Sequence, residues 1–171
     1  PITPLTVMAN GNDFLEKRWH KPFWNRRMHT AFQEAQCVVC CSYESKRILL
    51  DTIPAIKAKT HALLPAVDPN EFNANATPGF PPVLLTLGRI VARKGQDMVI
   101  KALPVILRDY PDAQYWIAGR GSYQSELELL VKDLELENNV RFLGFVSEDE
   151  RLRLYEQCSV YLMPSRTIGD E

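Results

Sequence analysis

Two cations lie between two glycines at residues 88–95. Gly88 follows a short apolar run, and Gly95 opens a segment with helical spacing. Glycines let the backbone approach a ligand closely, and the free N–H groups of a helix N-terminus attract anions. Between the glycines, Arg89 offers a planar fork of donors and Lys94 a point charge. The stretch therefore predicts a phosphate or diphosphate site, although a surface turn with two solvated cations explains the same spacing.

A second glycine pair, Gly119 and Gly121, encloses Arg120. It also separates an apolar run from a helical pattern, so its backbone could approach a ligand and Arg120 could contact a phosphate. The pattern lacks the Gly-Lys-Ser/Thr end of a Walker A loop and the third glycine of the dinucleotide fingerprint. A tight strand–helix connection with a solvated arginine is the alternative interpretation.

The elements that would position both loops alternate between strand and helix. Apolar runs predict strands at residues 83–87, 114–118, 140–143 and 159–163. Helical spacing predicts helices at residues 96–110 and 122–136, and a third helix running from the Ser147–Glu150 capping box to Gln157. This order predicts a parallel sheet covered on both faces, and such sheets bind ligands at the carboxyl ends of their strands. Both glycine loops follow such ends.

The first half of the chain is less regular. Short strands are predicted at residues 5–9, 37–41 and 59–64, and helices at residues 23–35 and 43–51. At residues 68–82, Pro, Asn and Gly dominate and no apolar period remains, which predicts a linker. We therefore predict two α/β domains, residues 1–67 and 83–171, joined by this linker.

The charge balance argues against two classes of partner. The 171 residues include 20 basic and 21 acidic side chains, for a net charge of -1. Such a balance has no electrostatic footprint for nucleic acid or for an anionic membrane. No apolar run approaches the ~20 residues of a membrane-spanning helix.

The four cysteines do not form a metal-binding pattern. Cys37 and Cys40 have CxxC spacing, but no second pair of Cys or His with ligand spacing follows. We interpret Cys37 and Cys41 as small hydrophobic residues on one side of a buried strand. Unpaired cysteines favour a reducing compartment, which predicts a cytoplasmic protein.

Ordered landmarks in the second half resemble the retaining glycosyltransferases of family 4, which have the GT-B fold of two facing Rossmann-like domains. These landmarks are Leu-Gly-Arg through Lys-Gly at residues 87–95, Ile-Ala-Gly-Arg-Gly at 117–121, Val-Arg-Phe-Leu-Gly-Phe-Val at 140–146 and Leu-Met-Pro-Ser at 162–165. The first half is similar at three more places, residues 10–14, 42–45 and 64–72, which occupy the family's His-Gly-x-Asp, Ser-x-x-(Ser/Thr) and Pro-Gly-Val-Asp-x-x-x-Phe positions.

The resemblance covers nearly the whole chain and implies an α/β, GT-B fold with parallel sheets. Both Rossmann-like domains would be represented only in part: the latter part of the acceptor domain and the first part of the donor domain. In that case, the 171 residues by themselves would be inactive.

The resemblance also implies residue roles. Arg89 and Lys94 would be catalytic, because they would bind the donor diphosphate and stabilise it as it leaves. The other donor-side residues would be Gly88, Gly95, Gly119, Arg120, Gly121, Phe142, Gly144, Phe145, Val146, Ser165 and Glu171. Of these, residues 142–146 would hold the base through backbone groups, and Ser165 would lie at the mouth of the sugar site. The acceptor-side residues would be Asn10, Gly11 and Asp13.

Three departures from the family pattern stand out. Asn10 replaces the family's histidine, and Ala66 replaces a glycine. The family's acidic motif is expected at or just past Glu171, which is either its first member or part of the variable loop before it.

The resemblance implies transfer of a sugar, with retention, from a UDP- or GDP-sugar to a glycan, lipid or small-molecule acceptor. It implies no metal and no cofactor, and a location in the cytoplasm or at the inner face of the membrane. Three alternatives stay open: a GT-B sugar-nucleotide epimerase, a Rossmann-type NAD enzyme, and a non-catalytic segment that binds a sugar nucleotide or a partner chain. The missing third glycine disfavours the NAD enzyme.

Overall fold

The computed structural model describes residues 5–9, 22–72, 76–77 and 79–167. The chain divides into two compact units between Val67 and Asp68. Each unit contains its own parallel sheet. The predicted residues Asn10, Gly11, Asp13 and Glu171 lie outside the described residues.

The first unit contains a three-stranded parallel sheet in the order β1-β2-β3. Its elements are β1 (Thr6–Ala9), α1 (Pro22–Glu34), β2 (Cys37–Cys40), α2 (Tyr43–Thr52), a 3-10 helix (Pro54–Lys59) and β3 (Thr60–Ala62). The Ser42 hydroxyl caps α2 by accepting a 2.9 Å hydrogen bond from the Ser45 amide. This cap satisfies one of the free N–H groups at the helix start and explains why the strand β2 turns directly into a helix.

Burial in β2 differs from the expectation for the cysteines. Cys40 is fully buried in the core, whereas Cys37 and Cys41 are only half-buried. The side of β2 that carries Cys37 is thus less buried than expected for small hydrophobic residues of a buried strand, because the core packs against the side that carries Val38 and Cys40.

The second unit contains a four-stranded parallel sheet in the order β6-β5-β4-β7. Its elements are β4 (Val83–Leu87), a 3-10 helix (Ala92–Lys94), α3 (Gln96–Asp109), β5 (Gln114–Ala118), α4 (Gln124–Asp133), β6 (Val140–Gly144), α5 (Glu148–Gln157) and β7 (Val160–Tyr161). Alternate side chains of β5 enter two separate cores. Tyr115 and Ile117 pack with α3 and α4, while Ala118 packs with Leu154 of α5. Helices therefore cover both faces of the sheet, as predicted.

The ends of several elements differ from the predicted ranges. Helix α4 is shorter than predicted, and β7 has only two residues, because pairing is confined to Leu84–Val160 and Leu85–Tyr161. The Ser147–Glu150 capping box is present, as predicted.

Part of the segment predicted as a linker is structured and packs on the second unit. Residues Pro69–Glu71 form a 3-10 turn, whose start is capped by the Asp68 carboxylate at 2.9 Å from the Asn70 amide nitrogen. The Phe72 ring lies 6.3 Å from the ring of Tyr155 on α5. A linker prediction from composition cannot detect such a contact, because it depends on a residue far along the chain.

Candidate functional site

The strand order of the second sheet reverses beside β4. Strands β5 and β6 extend from one side of β4, and the chain then crosses to place β7 on the other side. Parallel α/β sheets bind ligands at such a reversal, outside the carboxyl ends of the strands. The loops at residues 88–95 and 162–167 leave the sheet at this point. The predicted phosphate loop thus lies where the topology favours a ligand.

The loop after β4 is fixed by its backbone and by one apolar side chain. The Gly88 amide donates to the Ala118 carbonyl at 2.9 Å, and the Ile90 amide donates to the Arg120 carbonyl at 3.0 Å. Ile90 is fully buried, whereas the neighbouring Arg89 is exposed. The cation therefore reaches solvent from a loop that is itself anchored in the core.

The start of α3 holds the same loop from the other end. The buried Gln96 side chain donates from Nε2 to the Arg89 carbonyl at 3.1 Å, and its Oε1 atom has no partner among the described residues. Gly95 adopts a left-handed conformation with φ 72°, and Lys94 is half-buried in the 3-10 turn before it. A Cβ on Gly95 would lie 2.1 Å from the Pro164 carbonyl oxygen, so both the backbone and the neighbouring loop require glycine here.

The glycines of the second loop permit contact between two loops. A Cβ on Gly119 would lie 1.9 Å from the Gly88 carbonyl oxygen, and one on Gly121 would lie 2.0 Å from the Ile90 carbonyl oxygen. The absence of side chains at these two positions therefore lets the backbones of the two loops pack against each other. At Gly88, by contrast, nothing lies within 4 Å of a Cβ among the described residues. The open approach to the backbone is at Gly88.

The loop after β6 joins this group through the backbone. The Gly144 carbonyl accepts a 2.7 Å hydrogen bond from the Gly119 amide. The Arg120 Nε atom lies 3.9 Å from the position of a Cβ on Gly144, so this arginine extends towards the β6 loop. Arg120 itself is exposed.

The residues predicted to surround a base have different environments. Phe142 packs partly into the core beneath α3 and α4, and Val146 packs against the core beneath α5. Phe145 is 75% exposed. Among these side chains, Phe145 is the one open to a planar ligand. Ser165 is exposed on the loop after β7.

Two buried hydroxyl groups, those of Tyr115 and Thr86, connect the strands to the loop after β7. The Tyr115 hydroxyl donates to Thr86 Oγ1 at 2.9 Å, and Thr86 Oγ1 donates to the Leu162 carbonyl at 3.3 Å. Burial raises the pKa of Tyr115 well above its usual range, so the phenol stays neutral and serves as a donor. The pair connects β5, β4 and the start of the loop after β7.

Sequence reasoning missed the polar residues that organise this region. Gln96, Asp97 and Arg166 were not predicted as site residues, yet Gln96 and Asp97 are buried in the first turn of α3. The Arg166 guanidinium lies 3.0 Å from Asp97 Oδ2. The sequence does contain one signal for Gln96 and Asp97: two adjacent polar residues stand at the start of a helix whose buried stripe is otherwise apolar.

Among the described residues, no group of three His, Cys, Asp or Glu side chains could hold a metal ion.

A family model described as "Glycosyl transferases group 1" matches residues 67–171. The chain belongs to this family. The predicted resemblance to family 4 glycosyltransferases is thereby confirmed.

Similar proteins include bacterial mannosyltransferases. The chain is 40% identical over 88 residues to a GDP-mannose-dependent monoacylated alpha-(1-6)-phosphatidylinositol monomannoside mannosyltransferase of Corynebacterium glutamicum, a match covering 52% of this chain and 23% of that protein. It is 26% identical over 147 residues to a component of the human phosphatidylinositol N-acetylglucosaminyltransferase, covering 84% of this chain and 30% of that protein. The matched part of the chain thus spans less than a third of the length of either relative, 23% and 30%.

Solved structures confirm the predicted fold class, the GT-B fold. Anabaena Alr3699/HepE, solved in complex with UDP and glucose, superposes with a TM-score of 0.71 at 20% identity, covering 95% of this chain and 46% of that chain. The sucrose-phosphate synthase of Thermosynechococcus elongatus superposes with a TM-score of 0.70 at 18% identity, covering 94% and 44%. Within the described residues of this glycosyltransferase-family chain, no helix has the length and apolar character needed to cross a membrane.

Proposed function

We propose that the protein is a retaining glycosyltransferase that moves a sugar from a nucleoside diphosphate donor to a glycan, lipid or small-molecule acceptor. The observation that carries the proposal is the placement of Arg89 and Lys94. Both lie on one anchored loop at the reversal of strand order, and Arg89 directly follows the open backbone of Gly88. Family membership supports the same assignment.

The cations act on the charge that develops as the donor breaks. When the bond between the anomeric carbon and the phosphate oxygen cleaves, the bonding electrons stay with the diphosphate, which gains negative charge. The Arg89 guanidinium can donate two parallel hydrogen bonds to phosphate oxygens, and the Lys94 ammonium adds a point charge. Helix α3 starts directly after this loop, so its N-terminal dipole adds to the positive field. Fixed charges of this kind lower the barrier because they need no reorganisation during the reaction.

Retention is assigned to attack from the front face of the sugar. The acceptor hydroxyl forms the new bond to the anomeric carbon on the side from which the diphosphate departs. The departing phosphate oxygen takes the hydroxyl proton, so the proton and the charge are both balanced. In this mechanism Arg89 and Lys94 keep the diphosphate close enough to accept that proton.

A GDP-sugar is the first donor to test, and a UDP-sugar is the second. The relative from Corynebacterium glutamicum and a 39% identical relative from Mycolicibacterium smegmatis are both named as GDP-mannose-dependent. We assign the base to the loop at residues 142–146, where backbone groups and the exposed Phe145 are available. The names of the same two relatives include phosphatidylinositol monomannoside, which supports a lipid-linked acceptor. The four free cysteines support a location in the cytoplasm or at the inner face of a membrane.

We also propose that the reaction needs no metal ion or cofactor. The cations of the 88–95 loop neutralise the diphosphate in the way that a divalent cation does in other transferases. Turnover should therefore persist in excess EDTA, and a strict requirement for Mg²⁺ or Mn²⁺ would contradict this part of the proposal.

Calorimetric titration with GDP, UDP and ADP tests the binding site in the protein expressed from its complete coding sequence. We expect saturable binding of GDP or UDP, weaker binding of ADP, and at least about tenfold weaker binding of the preferred nucleotide in Arg89→Ala. Arg108→Ala, which removes an exposed arginine from the last turn of α3, is the matched control. Absence of binding by all three nucleotides would contradict the proposal. The anomeric configuration of the product, measured by NMR, tests retention separately.

A further inference from the structure

The loop after β7 contacts the 88–95 loop at two points and the first turn of α3 at a third. The Arg166 amide donates to the Arg93 carbonyl at 2.8 Å. The Arg166 guanidinium donates from Nη2 to Asp97 Oδ2 at 3.0 Å. The Pro164 carbonyl lies in the space left by the missing side chain of Gly95. One residue, Arg166, therefore contacts both the turn that contains Lys94 and the first turn of α3.

The ion pair at Asp97 involves a buried carboxylate. The Asp97 side chain is 5% exposed, and a carboxylate removed from water is costly unless a cation and donors surround it. Its position in the first turn of α3 gives it a favourable interaction with the helix dipole. The second cation, Lys101, lies 3.6 Å from the same oxygen, but its side chain is 55% exposed. Without Arg166, Lys101 would be the one cation left beside the buried carboxylate among the described residues.

Arg166 connects two predicted site residues, Lys94 and Ser165, that are far apart in the sequence. Lys94 belongs to the 3-10 turn whose carbonyl at Arg93 accepts from the Arg166 amide. Ser165 is the residue directly before Arg166. A shift of the Arg166 backbone would therefore move Ser165 and lengthen the hydrogen bond to the turn that contains Lys94.

We propose that Arg166, through Asp97, is a positioning residue that sets the placement of Lys94 and Ser165 in the site. The kinetic consequence of this inference rests on the proposed function. The contact between the loops is seen in the structure and does not depend on that function. A displacement of ~1 Å of a positioned group can lower a rate by about 10²-fold. Arg166 itself is not assigned contact with the donor.

The first test compares kinetics of variants in the protein expressed from its complete coding sequence. Arg166→Gln should lower kcat at least about tenfold per correctly folded molecule, with a smaller change in the KM of the donor. Arg166→Lys should recover part of the lost kcat, because lysine keeps the positive charge but lacks the planar guanidinium group. The double variant Arg166→Gln/Asp97→Asn should be no slower than Arg166→Gln alone, since the two residues act as one unit. Arg108→Gln is the control for removing an arginine from the surface.

A purely structural role would give a different pattern. Thermal unfolding would then shift in Arg166→Gln, while kcat per folded molecule would equal that of the wild type in both the single and the double variant. That pattern would overturn the proposal. Active-site titration with the donor nucleotide provides the folded fraction.

Hydrogen exchange tests the contact without any need for turnover. In Arg166→Gln and in Asp97→Asn, amides of residues 88–95 and 162–167 should exchange at least about tenfold faster, and those of β5 should be unchanged. Unchanged exchange in both loops overturns the proposal even if the enzyme is active. If the wild type neither binds nucleotides nor transfers sugar, the proposed function fails, and the exchange result still decides whether Arg166 positions the loop.

Discussion

The Gln96 side chain donates a hydrogen bond to the Arg89 carbonyl across the phosphate loop, with a length of 3.1 Å. Gln96 is fully buried at the first position of α3, and Arg89 lies directly after Gly88 at the other end of the loop. A single side chain thus ties the start of the loop to the helix that follows it. The buried Gln96 amide therefore helps to hold the backbone of Arg89, whose side chain is exposed.

We expect Gln96→Leu to weaken both the fold and the site. The leucine has a similar volume but cannot donate to the Arg89 carbonyl, so the free energy of unfolding should fall by about 1–2 kcal/mol. Affinity for the donor nucleotide should fall several-fold, because Arg89 loses its support. Denaturant unfolding and calorimetry measure the two effects.

The control for Gln96 is Gln124→Leu. Gln124 begins α4 and makes one exposed hydrogen bond to Glu128, so its replacement should change the unfolding free energy by less than about 0.5 kcal/mol. Equal effects of the two substitutions on nucleotide binding would show that Gln96 does not support the loop.

Arg89→Ala and Lys94→Ala should each reduce turnover by about 10²–10³-fold in the protein expressed from its complete coding sequence. In the proposed mechanism both side chains stabilise charge that develops on the leaving diphosphate, while the exposed Arg89 contributes little to the core. Arg89→Lys should recover only part of the rate, since a point charge cannot replace a planar fork. Steady-state kinetics with Arg108→Ala as the control give the comparison, and near-normal rates in both alanine variants would contradict the assigned roles.

Two glycines of the site should respond differently to alanine. A Cβ on Gly119 would meet the Gly88 carbonyl at 1.9 Å, and Gly119 has a φ of 135°, so Gly119→Ala should cost about 2 kcal/mol or more of stability. Gly88 has open space instead, so Gly88→Ala should cost only the strain of its φ of 153°, about 1 kcal/mol, and should weaken nucleotide binding.

The matched control for both glycines is Gly79→Ala, where nothing lies within 4 Å and no positive φ occurs. Thermal unfolding should give little change there. A stable Gly119→Ala protein would show that the loops after β4 and β5 can separate without cost.

The capping box of α5 should make stability depend on acid pH. The Ser147 amide donates to Glu150 Oε2 at 2.7 Å, which holds the pKa of Glu150 below its usual value. A carboxylate with a lowered pKa in the folded state stabilises the fold above its unfolded pKa of about 4.3, and this contribution is lost as the pH falls through the folded pKa. The stability difference between the wild type and Glu150→Gln should therefore be present at pH 7 and shrink below about pH 4.

Asp149→Asn is the companion variant for this measurement. Asp149 lies in the same helical turn but outside the capping box, so its replacement measures the effect of a lost carboxylate near the helix start. Urea unfolding across the pH range gives both differences. A Glu150→Gln difference that does not change with pH would contradict the role of the ionised carboxylate.

Local sequence patterns determined the elements of the second unit and the location of its loops. Apolar runs and helical spacing depend on neighbouring residues, so the positions of β4, β5 and β6 and the capping box at Ser147 could be predicted without knowing the rest of the chain. The same order of elements places the 88–95 loop at a carboxyl end of the sheet. The family landmarks lie in these loops, which is why the family could be predicted as well.

Only the tertiary structure decided what each residue of these loops does. Gly119 and Gly121 serve loop packing because the backbones of Gly88 and Ile90 lie against them, and no local pattern contains that proximity. Asp97 and Arg166 are separated by 69 residues and meet only because β7 lies beside β4. The sequence by itself thus predicted the loop at which a diphosphate would bind. The folded sheet decided which residues hold the cations in place, since those contacts join strands that are adjacent in space but distant along the chain.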